Sequence, residues 1–210
     1  MAAPNLPPPL RDGDRLTRDE FLRRWEEMPD LKRAELIDGV VYMPSPVSDF
    51  HDDFHTRMSF WLTSYAASTP SCRSGITGTW LMSPDSAPQP DLTLRLRPER
   101  GGQSRIEGKY AAGAPELIVE ISHTTAAKDK GVKLRLYERS GVREYITVMP
   151  HEQEIVWREL VNGSYREIAL DADGLFRSRV FPGLWLDPAA LWAGDLAGLA
   201  DAVQRGVAQR

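Results

Sequence analysis

Apolar residues at Phe21, Leu22, Trp25 and Met28 recur at helical spacing. Thr17 and Glu20 precede them as a capping box and Pro29 follows, so a helix over about 17–28 is predicted. Two β-prone runs, Ala34–Ile37 and Val40–Met43, flank Asp38-Gly39, a dipeptide suited to the positive φ angles of a two-residue hairpin turn. Helical spacing returns between 48 and 67, with Phe54, Met58, Trp61, Leu62 and Tyr65 on one face. Residues 71–81 read as a strand region and 91–96 as an alternating strand, followed by a loop over 101–113 with room for one helical turn. The dense run Glu116–Ile121 reads as a central strand, 126–140 as a helix ended by Gly141, and 142–149 as a further strand. A second hairpin crosses Asn162-Gly163, a short strand covers 176–181, and a helix starts near Leu186, with its Ala-rich last turns expected to fray.

Strand, helix and strand over 116–149 form a crossover that calls for parallel, right-handed pairing. The class is therefore α/β or α+β, a mixed sheet flanked by helices with an extra C-terminal β-hairpin. The Pro-rich residues 1–14 read as a flexible tail, 15–192 as one domain and 193–210 as a C-terminal helical tail.

Composition narrows the classes. At 210 residues with 41% hydrophobic and 27% charged, the chain is an ordinary globular one. No apolar run is long enough to cross a bilayer, and the first ten residues lack the pattern of a secretory signal. One cysteine, Cys72, excludes an internal disulfide and fits a cytoplasmic setting. The net charge of −4 argues mildly against a protein held to nucleic acid by charge alone. Basic residues nevertheless cluster at 94–109 and 128–143. Solvated faces are the plainest explanation of both clusters.

The candidate chemistry lies in carboxylates set among apolar strand residues. Asp91 follows Pro90 at a strand start, and Glu120 sits inside Leu117–Ile121. A buried carboxylate is costly unless it is paired or holds a metal. One reading of Glu120 is thus a salt bridge to a cation from the next helix. The other is that Asp91 and Glu120, on neighbouring strands, hold Mg²⁺ or Mn²⁺ for phosphoryl chemistry. Asp129, Lys133 and Tyr137 fall on one stripe of the following helix, and Lys133 is the cation in either reading. His51 and His55 are four residues apart, but Asp52 and Asp53 between them match no zinc-helix pattern. His51 is the functional candidate and His55 is expected at the surface. His123 is expected at the site's edge.

Glu35–Val41, Ser45-Pro46 and His51 resemble the opening of the Uma family of "putative restriction endonucleases", of the PD-(D/E)XK nuclease superfamily. Pro90-Asp91, Pro115–Ser122, Asp129-x-x-x-Lys133-x-x-x-Tyr137, Gly141–Tyr145 and Pro182–Leu184 continue the resemblance over about residues 16–192. It implies a restriction-endonuclease-like core of helix, three strands, helix and strand, with Asp91 and Glu120 as the metal-binding carboxylates. The superfamily's usual lysine position is Ser122 here, so the resemblance assigns the cationic role to Lys133 on the helix. It places Glu35 at the entrance of the site and gives His51 a role on water or phosphate. Ser122, Asp129 and Tyr137 would support these groups.

The implied activity is metal-dependent hydrolysis of the phosphodiester bonds of nucleic acid, DNA first. Arg100, Arg105 and Lys109 are candidates for the phosphate backbone. Two rival readings are a nuclease-fold binding module without catalysis, and an interaction protein that forms a homodimer through residues 153–185.

Overall fold

A computed structural model of the protein describes residues 7–43, 49–122 and 127–210, and only the backbone at 49–50 and 127–130. Helix α1 (Arg18–Glu26) starts where Thr17 Oγ1 accepts the Glu20 amide at 3.4 Å. The Glu20 carboxylate turns to Arg23 and Arg24 instead of closing the capping box. Strands β1 (Glu35–Ile37) and β2 (Val40–Tyr42) pair antiparallel, with Asp38 and Gly39 at φ 52° and 73° as the turn requires.

After α2 (Asp49–Ser68) come β3 (Cys72–Ile76), β4 (Trp80–Leu81) and β5 (Leu92–Leu96). A 3₁₀ turn (Pro98–Arg100) leads to β6 (Arg105–Glu107) and β7 (Tyr110–Ala112). Then follow β8 (Leu117–Ile121), α3 (Ala127–Ser140), β9 (Glu144–Met149), β10 (Glu154–Val161) and β11 (Ser164–Glu167). Short strands β12 (Phe176–Arg177) and β13 (Trp185–Leu186) precede α4 (Pro188–Ala193) and α5 (Leu196–Ala208).

The main sheet has the order β11-β10-β9-β8-β5-β3. Only β8 and β9 pair in parallel, joined through α3 as the crossover demands, and the other pairs are antiparallel. Strand alternation divides the core. Leu92, Leu94, Leu117, Val119 and Ile146 face the cluster built on Trp61, Leu62, Leu191 and Leu199 of α2, α4 and α5. Ile118 and Tyr145 face the other way, onto Leu136 and Tyr137 of α3 and Ile37 of β1. Glu120 therefore points to the α3 side.

Several sequence expectations are corrected. Residues 10–14 are not a free tail: Leu10 is 4% exposed, Gly13 N–H bonds Val41 O, and Asp12 accepts the Met43 amide. Residues 1–6 lie outside the described part. The 71–81 region splits between two sheets, because β4 joins β7 and β6 instead of the main sheet. The 101–113 segment is that β6–β7 hairpin, not a loop, turning at Gly108. The C-terminal turns do not fray. Leu199, Ala202 and Val203 are buried, and Gly206 lies so close to Gly183 that a Cβ would meet the Gly183 carbonyl oxygen at 2.3 Å. An alanine-rich helix is held here by backbone-to-backbone approach that larger residues would prevent.

Candidate active site

Register brings the two strand carboxylates together. Leu92 pairs with Val119, so one further step sets Asp91 opposite Glu120. Pro90 ends the incoming loop, and Asp91 Oδ2 then accepts the Ile121 amide at 2.8 Å. This bond fixes the Asp91 carboxylate against β8.

Helix α3 covers this sheet end and delivers Lys133 and Tyr137 from one face, four residues apart. Lys133 Nζ lies 3.0 Å from Glu120 Oε1 and 3.0 Å from Glu35 Oε1. The Tyr137 hydroxyl donates to Glu120 Oε1 at 2.6 Å. Glu35, at the start of β1, also accepts the Gln89 amide at 2.7 Å. From α2, His51 Nε2 donates to the Ile121 carbonyl at 3.1 Å and lies 3.7 Å from Asp91 Oδ2. The side chains of Glu35, His51, Asp91, Glu120 and Lys133 are 11–21% exposed. Glu35, Asp91 and Lys133 line a pocket of about 170 Å³ together with Arg33, Tyr42 and Gln89, while Glu120 contacts Lys133 and His51 lies against Asp91.

The electrostatics follow from this crowding. Burial disfavours ionisation of Asp91, but the His51 contact, the Lys133 charge and the Ile121 N–H outweigh it and hold Asp91 below its ordinary value. Burial pushes Glu120 up to about 7. The charges of Asp91 and Glu35 add to that, and Lys133 and the Tyr137 hydrogen bond oppose it. Asp91 raises the proton affinity of His51. Burial works against the Lys133 charge, yet Glu120, Glu35 and Asp91 together hold it protonated.

The salt bridge that the plainer reading of Glu120 predicted is present. It does not pair every carboxylate separately, because Lys133 is shared by Glu35 and Glu120 while Asp91 lies against His51.

The donor set fits a hard divalent cation. The carboxylates of Asp91 and Glu120 would supply oxygen ligands, and such an ion would relieve the repulsion that Asp91 and Glu35 exert on Glu120. Among the described residues no group of three or more His, Cys, Asp and Glu is gathered as a ready-made cage.

The remaining candidates are placed as follows. Ser122 follows β8 and its amide bonds the Val148 carbonyl. The Asp129 side chain, His123 and Ser45-Pro46 lie outside the described residues. His55 is not a surface residue: it is half-buried, its Nε2 lies 3.3 Å from the Asp91 carbonyl, and its ring stacks on His51. Lys109 is bound to Glu26 at 2.8 Å, Arg105 to Glu107 at 2.8 Å, and Arg100 stands exposed on the 3₁₀ turn. None of these three lines the pocket. Sequence reasoning missed Arg33, Gln89 and Tyr42, which no local pattern distinguishes.

A mixed sheet flanked by helices, with clustered carboxylates at one end, defines an α+β protein of nuclease-like fold. A family model described as "Putative restriction endonuclease" (Uma2) matches residues 18–189, and the chain belongs to that family. The fold is similar to a crystal structure of a "putative nuclease belonging to DUF820" from Anabaena variabilis ATCC 29413. The TM-score is 0.67 at 17% identity, covering 85% of this chain and 98% of that one. Among curated proteins none matches. No helix of the described residues is long and apolar enough to cross a membrane.

Proposed function

We propose that this protein is a metal-dependent nuclease that hydrolyses phosphodiester bonds of nucleic acid, DNA in the first place. The observation that carries this reading is the meeting of Glu35, Asp91, Glu120 and Lys133 from four separate elements, with Glu35, Asp91 and Lys133 lining one pocket. Asp91 and Glu120 would hold Mg²⁺ or Mn²⁺, which when bound activates water and stabilises charge growing on phosphorus.

The chain's own groups do the rest. Lys133, whose charge Glu120, Glu35 and Asp91 favour, offers that charge to a phosphate oxygen or orients the attacking water. Tyr137 fixes Glu120 through its 2.6 Å bond and so sets the direction of its free oxygen. His51 steadies the end of β8 through the Ile121 carbonyl and lies against Asp91, whose carboxylate it helps to keep ionised. Glu35 holds Lys133 from the opposite side and keeps it over the pocket.

The test is calorimetric titration of Mn²⁺ into metal-free protein, together with a Mn²⁺-dependent cleavage screen on duplex, single-stranded and branched DNA and on RNA. One saturable site, lost in Asp91→Asn, with cleavage lost in Asp91→Asn and Glu120→Gln, is expected. Full metal-dependent cleavage by both variants would overturn the assignment.

A second reading, a nuclease-fold module that binds without cleaving, draws on one observation. Lys133 already pairs with both Glu35 and Glu120, so the site is partly neutralised without a metal. Nucleic-acid binding with no cleavage of any of these substrates would favour it.

A further inference from the structure

Beyond Asp91 and Glu120, the far part of β5 carries arginine charge that no ion pair among the described residues answers, with the buried Glu116 carboxylate acting on Arg95 as a counter-charge. Register sets Arg95 directly opposite Arg73 of the edge strand β3. Like charges facing each other across a strand pair are destabilising. Among the described residues neither arginine makes an ion pair, and Arg97, close by, spends only its Nε, on the Pro70 carbonyl.

The pair lines a cleft of about 120 Å³ together with Arg97 and Arg105. Glu99 also lines it, without an ion pair to any of them. The buried Glu116 carboxylate is already committed to the Leu96 and Gln103 amides at 2.8 and 2.9 Å, and this holds the loop that forms one cleft wall. Arg95 is half-buried, with its guanidinium 5.4 Å from the centroid of the Trp80 ring. Burial and the Arg73 charge pull its proton affinity down, and the Glu116 carboxylate opposes them only in part. A flat ring beneath a guanidinium holds its plane in place and leaves its edge for planar recognition.

Strand alternation places Arg95 on the same sheet face as Asp91, four residues and hence about 13 Å away. A nucleic-acid strand seated at the carboxylates carries a phosphate every ~3.4 Å of duplex rise, so its backbone reaches this distance within a few nucleotides.

We propose that the cleft built on Arg73 and Arg95 grips a backbone phosphate of a nucleic-acid strand whose neighbouring segment lies at Asp91 and Glu120. The proposal rests on the nuclease reading for the second half of that statement. The cleft supplies the affinity that the acidic chain as a whole does not. It also relocates the phosphate contact. Of the three cations expected from sequence, only Arg105 lines this cleft, and the facing pair Arg73 and Arg95 is its centre.

The experiment is fluorescence-anisotropy titration of labelled duplex DNA of about 30 base pairs, with a single-stranded RNA arm, in EDTA across a salt series. The variants are Arg73→Gln/Arg95→Gln and a control, Arg166→Gln/Arg205→Gln. The control removes the same charge from the opposite sheet edge and from α5. The substitution relieves the repulsion between the facing arginines but also removes the Arg95 contact with Trp80, so the melting temperature of both double variants is measured and binding is compared where both are folded.

The expected result is a salt slope shallower by about 2 and binding weaker by ~10-fold at low salt in the test variant on at least one of the two nucleic acids, with little change in the control. Equal losses in both double variants, or no binding of either nucleic acid by the wild type at low salt, would overturn it. Mn²⁺ titration of the same variants separates the two readings. Metal binding and cleavage with no slope change would sink the cleft alone. A slope change in a protein that binds no metal and cleaves nothing would sink the nuclease reading and leave the cleft standing.

Discussion

Glu144 tests the electrostatic reasoning at a place remote from the candidate metal ligands. It opens β9, is fully buried, and accepts from the Arg179 amide at 2.6 Å, the Val180 amide at 3.3 Å and the Ser178 hydroxyl at 2.7 Å. No cation pairs with it among the described residues. Burial therefore wins over these hydrogen bonds and pushes its carboxyl from 4.5 up to about 7.

The sign follows from proton counting. Between these two values the folded chain holds a proton that the unfolded chain has released, so stability is fully present below pH 4.5 and is lost as pH rises through 7. At about 1.4 kcal/mol per unit, a rise of this size amounts to about 3 kcal/mol between pH 4.5 and 8. Glu144→Gln keeps an oxygen for the two amides and a polar group for Ser178, and cannot ionise.

Urea denaturation in EDTA at pH 5 and pH 8, on wild type and variant, isolates the effect, because Glu120 contributes equally to both proteins and cancels. The variant is expected to be somewhat less stable at pH 5, where the wild type is protonated and Ser178 must now accept from an amide. Between pH 5 and pH 8 it should gain about 2.5 kcal/mol relative to wild type. A stability difference that stays constant between the two pH values would refute the claim that Glu144 is held neutral by burial.

Three further outcomes follow from the same structure. Lys133→Met leaves Glu35 and Glu120 facing each other without their cation, so cleavage should vanish and the metal-free fold should lose about 3–5 kcal/mol at pH 8, while Mn²⁺ affinity by calorimetry falls little or rises. Tyr137→Phe removes the 2.6 Å bond to Glu120 and should cost about 1.5–3 kcal/mol in urea denaturation and reduce cleavage while metal binding persists. Leu199→Ala, on a fully buried position of α5, should cost about 2–5 kcal/mol, whereas a helix that merely frays would show almost no change in melting.

Local chemistry made much of this protein legible in its sequence. Asp38-Gly39 and Asn162-Gly163 read as hairpin turns because few other dipeptides accept two positive φ angles, and all four residues adopt them. Lys133 and Tyr137 could be placed on one helix face from spacing alone, and Glu120 stood out because a carboxylate inside an apolar strand demands an explanation. Asp91 and Glu120 could be assigned to neighbouring strands, and the resemblance to the Uma family ordered these pieces.

Other features depend on which distant segments meet, and no periodicity encodes that. The β6–β7 hairpin is not legible in the sequence because β4 recruits it into a separate sheet, and the C-terminal helix is legible as a helix but not as a packed one, because its burial depends on the approach of Gly206 to Gly183. That Lys133 is shared by Glu35 as well as Glu120 required β1 to lie beneath α3. That His55 reaches the Asp91 backbone required α2 to pack along β5. Arg73 and Arg95 are unremarkable arginines twenty-two positions apart. Only the antiparallel register of β3 and β5 makes them a facing pair, because electrostatic meaning arises from distance in space and sequence fixes only distance along the chain.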